Sequence, residues 1–342
     1  MKDEELMLSV IMAVYETPKE YLKQAIDSIL NQSYTKYEFI IIDDGCKNTE
    51  TVECLEEYNI QDNRIKLIRN SRNIGLTKSL NRALKECKGK YIARMDSDDI
   101  SFPERFQKQI EYMENNPEVC LCGSNTVVFD GDNIIYDESE IRSRIRNNEI
   151  SDIRMLIENV GFAHPTFMMR KAFLDEHEIW YDESLRYAQD YGLVTDIIIK
   201  GGKLHRIGES LLKYREHEGQ ISSSYQEKQA NCQMSVSAKR IGNVFRELSK
   251  DDCDIIAELP YDNSRYKPSD YSNAIKKIFK LNREKPQYDV VIFEREFLYI
   301  WHKKVKHTSK KVGKPWGWFN YLSLLSIPSV ISVQLEEWRL NE

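Results

Sequence analysis

Residues 8–15 read Leu-Ser-Val-Ile-Met-Ala-Val-Tyr, a near-continuous apolar run. A strand with one wet face would alternate polar and apolar residues. This run is therefore expected to be buried on both faces, as in a parallel sheet covered by helices. Thr17-Pro18-Lys19-Glu20 has the spacing of a capping box with proline at the first helical position. The helix behind it carries Leu22, Ala25, Ile26, Ile29 and Leu30 on one stripe. Strands are expected at Tyr37–Ile42, Ile65–Ile68 and Tyr91–Met95. Helices are expected around Thr51–Tyr58 and through Leu76, Leu80, Ala83 and Leu84. The order βαβαβαβ implies a doubly wound, right-handed α/β sheet, mostly parallel.

Beyond Pro103 the pattern loosens. A helix to about Asn115, strands near Val119–Phe129, the strand Phe167–Met169 and the strand Leu211–Tyr214 stand out from a mixed region ending near Ser224. From Gln226 the chain reads as helical and more polar. The expected organisation is a catalytic α/β domain over 1–225 and a helical region over 226–342.

A net charge of -6 argues against nucleic acid as the main partner. The first five residues show no signal-peptide pattern, so a cytoplasmic protein is expected. Cys46, Cys54, Cys87, Cys120, Cys122, Cys232 and Cys253 are odd in number and lack paired metal spacing. They read as reduced cysteines, mostly small core fillers.

The chemistry concentrates at strand ends. Arg94-Met95-Asp96-Ser97-Asp98-Asp99 puts three carboxylates after a short apolar strand, at the sheet edge where open α/β folds bind ligands. Asp96 and Asp98 are two apart, so one turn aims both at a single divalent cation, with substrate phosphates completing its shell. Acidic loops are usually just solvated, so the motif counts through its place in a series.

Asp43-Asp44-Gly45 ends the second strand. Turn chemistry alone explains it, or one carboxylate accepts a hydrogen bond from a nucleobase or ribose. Tyr15 and Glu16 follow the first strand into the same crevice, where a tyrosine stacks on a base or fills a core. Arg72-Asn73-Ile74-Gly75 is a plain connection or a set of donors near nucleotide oxygens. His164, before Pro165, is a structural hydrogen-bonding residue or a supporting group in an acceptor site; Pro165 favours an extended backbone for it. Asp190, after Gln189, satisfies a helix dipole or serves as a general base. His217 is a turn residue, a third metal ligand or a diphosphate contact.

Lys303, Lys304, Lys306, Lys310, Lys311 and Lys314 precede Trp316–Leu335, a segment without charge that is rich in aromatic residues at its start. Region 302–335 either contacts an anionic membrane surface or docks on the protein's own core. Its serines and Pro328 argue against a membrane span.

Taken in order, Leu8–Tyr15, Ile42–Gly45, Asn73–Leu76, Met95–Asp99, His164-Pro165, Gln189–Tyr191 and Tyr214–His217 with Ser222 resemble family 2 inverting glycosyltransferases of the GT-A fold. The likeness covers residues 5 to about 225. It implies that Ala13, Tyr15 and Asp43 contact uridine, with Glu16, Arg72 and Ser97 around the nucleotide. It also implies that Asp96 and Asp98 bind Mn2+ or Mg2+, Asp98 more directly, with His217 as a further ligand. Asp190 matches the catalytic base, and His164 and Gln189 fall in the acceptor site. The chain departs from the family pattern at Gln189, where Glu is usual, and at Cys46, where Ser is usual.

The implied partners are a UDP-sugar and a saccharide or lipid-linked oligosaccharide, with peripheral contact at the cytoplasmic face of the inner membrane. The reaction would be transfer of one hexose or N-acetylhexosamine at a time in capsule, O-antigen or lipooligosaccharide synthesis. A sugar-nucleotide pyrophosphorylase is a weaker match, because strand one leads to Tyr15-Glu16-Thr17-Pro18 rather than a glycine-rich loop. A binding module without catalysis is the third alternative.

Overall fold

The apolar run at the amino terminus becomes β1 (Leu8–Val14), an inner strand of a mixed sheet with parallel neighbours on both sides. The computed structural model describes residues 6–142, 152–159, 161–217, 226–262, 264–313 and 315–317. The chain forms two compact units. Met1–Ile150 with Gly161–Tyr225 make the first, and Ser151–Val160 with Gln226–Glu342 make the second.

The first unit alternates β1, α1 (Lys19–Leu30), β2 (Tyr37–Asp43), α2 (Thr49–Gln61), β3 (Ile65–Arg69), α3 (Leu76–Glu86) and β4 (Tyr91–Met95). β1 pairs in parallel with β2 and β4, and β2 with β3, so the order 3-2-1-4 reverses between β1 and β4. Leu22, Ala25, Ile26 and Ile29 are fully buried, the i, i+3, i+4, i+7 face of α1. Burying each large aliphatic of this kind contributes about 1.5–3 kcal/mol.

The expected capping box is not formed. Pro18 occupies the N-cap position without a side-chain hydrogen bond. Thr17 instead pairs its hydroxyl with Ser97 Oγ at 2.6 Å and accepts from Thr51 Oγ1 through its carbonyl. A tertiary contact has taken the capping side chain.

β5 (Ile100–Ser101), α4 (Arg105–Asn115), β6 (Val119–Asp130) and β7 (Asn133–Asp137) follow, then α5 (Glu138–Arg142). After α6 (Asp152–Ile157), which belongs to the second unit, come β8 (Met168–Arg170), α7 (Lys171–Glu176), α8 (Gln189–Ile199) and β9 (Lys203–Arg215). β8 joins β4 to β6 antiparallel on both sides, β9 runs parallel to β6, and β5 pairs antiparallel with β9. The sheet curls enough for β5 to reach α1: the buried Gln32 amide bonds Ser101 Oγ at 3.1 Å and the Phe102 carbonyl at 2.7 Å.

β9 has thirteen residues, whereas only Leu211–Tyr214 reads as strand in the sequence. Its first half is polar and half-buried, and its pairing with β6 shifts register between Ser124 and Thr126, so simple alternation is lost. The third strand after Pro103 also lies one residue later than expected, at Met168–Arg170. His164 opens a short 3-10 turn, His164–Thr166.

In the second unit α9 (Gln226–Val244), α10 (Lys250–Ala257), α11 (Pro268–Glu284) and α12 (Val290–Val312) surround a core of Phe279, Phe293, Phe297, Trp301 and Tyr271. α6 joins this core through Ile153, Leu156 and Ile157. Its last carbonyls are capped from α9: Ser237 Oγ donates to Ile157 O at 2.8 Å and Arg240 Nη1 to Met155 O at 2.6 Å.

At the centre, the fully buried Glu258 carboxylate accepts from the Tyr271 hydroxyl and from Arg265 Nε, with the Arg265 amide at 3.0 Å. Lys304 Nζ donates to the Tyr261 carbonyl at 2.8 Å and the Glu258 carbonyl at 3.2 Å. Lys304 is therefore an interior residue and not part of an exposed basic patch. Trp316 packs on Trp301 and exchanges hydrogen bonds with Ser309, which docks the chain onto this core up to Gly317. Lys314 and residues 318–335 lie outside the described residues. No helix among the described residues is long and apolar enough to cross a membrane.

Burial pushes the Lys304 amine down from 10.5 to about 8, with the charges of Glu258 and Asp262 opposing. Between those two values the unfolded chain binds a proton that the folded chain does not. This site therefore makes stability rise with pH across that window. Urea unfolding of wild type and Lys304→Met at pH 7.5 and pH 9.5 should show wild type gaining on the variant at the higher pH. An equal pH response in the two proteins would refute the assignment.

Candidate functional site

Two carboxylates end β2, and their surroundings separate their roles. Asp44 accepts from Asn70 Nδ2 at 2.8 Å and from the Ile74 and Gly75 amides, both at 2.9 Å. It is a buried clamp that fixes the segment 70–75. Asp43 accepts from the Cys46 amide at 2.8 Å and meets Arg69 Nε at 3.2 Å. Asp43 also lines a cavity of about 530 Å3 with Tyr15, Cys46, Arg69, Asn70 and Arg72.

Gly45 makes this wall possible: its φ is +75°, and a Cβ there would sit 2.4 Å from the Arg72 carbonyl carbon. Tyr15 lines the cavity while 48% exposed. Glu16 follows in the left-handed region at φ 53°, where its carboxylate accepts from the Lys47 amide at 2.6 Å. A non-glycine residue held there marks a locally constrained turn.

The β4–β5 loop holds the acidic cluster. One carboxylate oxygen each from Asp96, Asp98 and Asp99 lie within 4.8 Å of one another. Asp96 is gripped through both oxygens by the buried Arg94 guanidinium. Asp98 Oδ2 lies 3.0 Å from His217 Nε2. Asp99, 1% exposed, accepts from the Arg215 amide at 2.9 Å through Oδ1, while its buried Oδ2 has no hydrogen-bond partner among the described residues. Arg215 ties the loop down, donating from Nε to the Asp98 carbonyl at 2.7 Å between the Tyr21 and Phe129 rings.

Burial raises the Asp99 carboxyl well above the usual range, and the charges of Asp96 and Asp98 add to this. Burial raises Asp96 as well; Arg94 opposes the shift, and Asp98 and Asp190 add to it. Crowded carboxylates with an orphaned buried oxygen suit a bound cation. The donor set, all hard oxygen with one imidazole, fits Mg2+ or Mn2+.

Asp190 lies in the first turn of α8, and its charge acts on both Asp96 and Tyr181. Gln189 precedes it with Oε1 buried and without a hydrogen-bond partner among the described residues. His164 is buried, with Nε2 2.8 Å from the Tyr181 hydroxyl. Burial, helped by Arg94, holds its pKa well below the ordinary value, so it is a neutral interior group. Its 3-10 turn, with Pro165 in the first turn, turns the imidazole onto Tyr181 instead of extending it into a cleft.

Tyr15, Asp43 and Arg72 thus share one cavity, and Asp96, Asp98 and Asp99 share one cluster, which His217 meets at Asp98 and whose Asp96 feels the charge of Asp190. Ala13 is half-buried in β1 opposite Ile42, and Ser97 is buried on Thr17. Neither they nor Glu16 are among the cavity-lining residues. Arg94, Asp99 and Arg215 lie inside motifs that the sequence offers but carry no assigned role there, and Arg69 has no sequence signal.

Residues 9–178 match the model of glycosyl transferase family 2. An uncharacterized glycosyltransferase of Methanocaldococcus jannaschii is 37% identical over 209 residues, 61% of this chain and 70% of that one. An O-antigen biosynthesis glycosyltransferase of Escherichia coli is 36% identical, covering 64% of this chain and 83% of its own. Among solved structures, residues 1–349 of Staphylococcus aureus TarS in complex with UDP-GlcNAc superpose with a TM-score of 0.59 at 17% identity, over 90% of this chain and 92% of that one. A Pyrobaculum calidifontis mannosyltransferase in complex with GDP-Man and Mn2+ gives 0.55 at 12% identity, over 98% and 88%. These structural likenesses concern the fold.

All seven cysteines are free thiols, and five are buried. Burial pushes the Cys46 thiol up to about 12, so it lines the cavity as a neutral group, and the thiolate is the reactive form. Ellman's reagent on native protein should label Cys232 first and Cys46 slowly, and the other five only on unfolding. Rapid labelling of Cys46 at neutral pH would contradict this environment.

Proposed function

The chain belongs to glycosyltransferase family 2, and on that premise we propose that it transfers a hexose or N-acetylhexosamine from a UDP-sugar to a saccharide hydroxyl with inversion. The observation that carries the proposal is a placement: the Tyr15–Asp43–Arg72 cavity lies at the carboxyl ends of β1 and β2, the Asp96–Asp98–Asp99 cluster follows the neighbouring parallel strand β4, and the charge of Asp190 acts on Asp96. Tyr15 stacks on the base. Asp43 and Arg69 set an acceptor next to a donor, the pattern that pairs with the N3–H and a carbonyl of uracil. Arg72 faces the nucleotide oxygens.

Asp98 with His217 would hold a divalent cation, with Asp96 and Asp99 adding negative charge around it. When bound, the ion offsets charge on the departing diphosphate. Asp190 takes the proton from the acceptor hydroxyl as its oxygen attacks the anomeric carbon. The C–O bond to UDP breaks on the opposite face, so an α-linked donor gives a β-glycoside. Relatives named for O-antigen and amylovoran biosynthesis support a bacterial polysaccharide as the acceptor.

Replacing Asp190 with Asn keeps shape and helix-start chemistry but removes proton acceptance. General-base catalysis is worth about 10²–10⁴-fold, so transfer should fall by that order while UDP binding and melting temperature hold. Asp98→Ala should instead remove the Mn2+ dependence of UDP binding. Near-normal transfer by the Asn variant would sink the base; unchanged Mn2+ dependence in Asp98→Ala would sink the metal site.

The exposed Lys303, Lys306 and Lys310 recur at i, i+3 and i+7 on α12 and face one direction. They support peripheral contact with anionic lipid. Each surface lysine contributes about 1 kcal/mol to such binding. Reversing all three to Glu should therefore weaken sedimentation with phosphatidylglycerol vesicles by at least about two orders of magnitude at low salt. Undiminished binding would refute the contact.

A further inference from the structure

We infer that Asn81 on α3 is a positioning residue for Asp190, an inference that rests on the reading of Asp190 as the base. The chain between Glu176, the last residue of α7, and Gln189, the first of α8, contains no helix or strand. Its recorded backbone hydrogen bonds are local turns, and Asn81 adds a double tie to α3. Its Nδ2 donates to the Tyr181 carbonyl at 2.9 Å, and its Oδ1 accepts from the Tyr181 amide at 3.0 Å. One side-chain amide thus makes both hydrogen bonds of a strand pairing, and Asn81 is 6% exposed. Nδ2 also lies 3.3 Å from Glu183 Oε1.

One turn earlier on the same helix face, Thr77 Oγ1 donates to the Leu185 carbonyl at 3.3 Å. Leu185 in turn seats α8: a Cβ on Gly192 would fall 2.5 Å from Leu185 Cδ1, so the first turns of α8 rest directly on this segment. The Tyr181 hydroxyl is fixed from the other side by His164, and Tyr181 lies within the electrostatic reach of Asp190 and Asp96.

The segment that leads into α3 is fixed as firmly. Asp44 holds the Ile74 and Gly75 amides, and Asn70 Nδ2 bridges Asp44 to Ser79 Oγ at 3.0 Å. Asn70 to Asn73 form a wall of the nucleotide cavity. One helix therefore sets both the donor wall and the strip that carries the base, so donor and base are registered to each other through α3.

The test uses the full chain with Asn81→Ala, Asp190→Asn and the double variant. UDP affinity is measured by calorimetry and turnover as UDP release from whichever UDP-hexose or UDP-N-acetylhexosamine is active. A misplacement of the order of 1 Å at the reacting groups can cost about 10²-fold, so Asn81→Ala should lower kcat by roughly that factor with UDP affinity within twofold. Added to Asp190→Asn it should cost nothing further, because both act through one carboxylate.

Thr77→Val removes one hydroxyl without changing shape. It should show the same pattern more weakly and serves if Asn81→Ala does not fold. A lowered melting temperature with kcat intact in both variants would overturn the inference, as would full multiplication of the Asn81 and Asp190 losses. Near-normal turnover by Asp190→Asn alone would instead bring down the base reading, and this inference with it.

Discussion

Mutual repulsion among Asp96, Asp98 and Asp99 is the constraint around which the first unit is arranged. Unit charges a few ångströms apart in a partly buried site repel by several kcal/mol. Three arginines with almost no exposure answer them. Arg94 grips Asp96, Arg215 holds Asp99 and the Asp98 carbonyl, and Arg105 donates to the Arg94 carbonyl at 2.8 Å. Burial pushes Arg105 down to about 9, a measure of how far this interior disfavours an unpaired cation. Without Asp96 the buried Arg94 cation would lose its carboxylate partner. Arg94 and Asp96 are therefore expected to be retained together. The remaining orphan, Asp99 Oδ2, leaves the cluster short of positive charge, which suits it to binding a cation.

The same economy of polar groups recurs along the strand ends. Asp43 and Asp44 are adjacent and chemically identical, yet one lines the cavity and the other is consumed by three structural donors. Thr17 gives up helix capping to meet Ser97, which links the end of β1 to the acidic loop. Gln32 spends both ends of its amide tying α1 to β5 and α4. None of these choices alters the strand order, but together they set the loops that the site needs.

The second unit solves a similar problem with different parts. A buried carboxylate, Glu258, is surrounded by Tyr271, Arg265 and the Lys304 region inside an aromatic core. Buried polar groups are tolerated when every member is satisfied. Lys304 also shows how composition misleads, since it belongs to a run of lysines but faces inward.

The sequence by itself determined the parallel half of the sheet, because a strand apolar on both faces, followed by amphipathic helices, has few other ways to bury its surface. It also placed Tyr15, Asp43, Asp96, Asp98 and Asp190 at strand or helix ends, where turn and acidic residues interrupt the periodicity. Tertiary structure alone decided which of two adjacent aspartates faces the cavity, and that Arg69 and Arg215 join the site from distant strands. It turned His164 inward onto Tyr181 and extended β9 through a polar stretch by pairing it with β6. It also drew residues 151–160 into the helical unit. The physical reason is common to all of these. Periodicity records which faces avoid water, whereas a polar side chain's partner depends on which other donors and acceptors folding brings within about 3 Å.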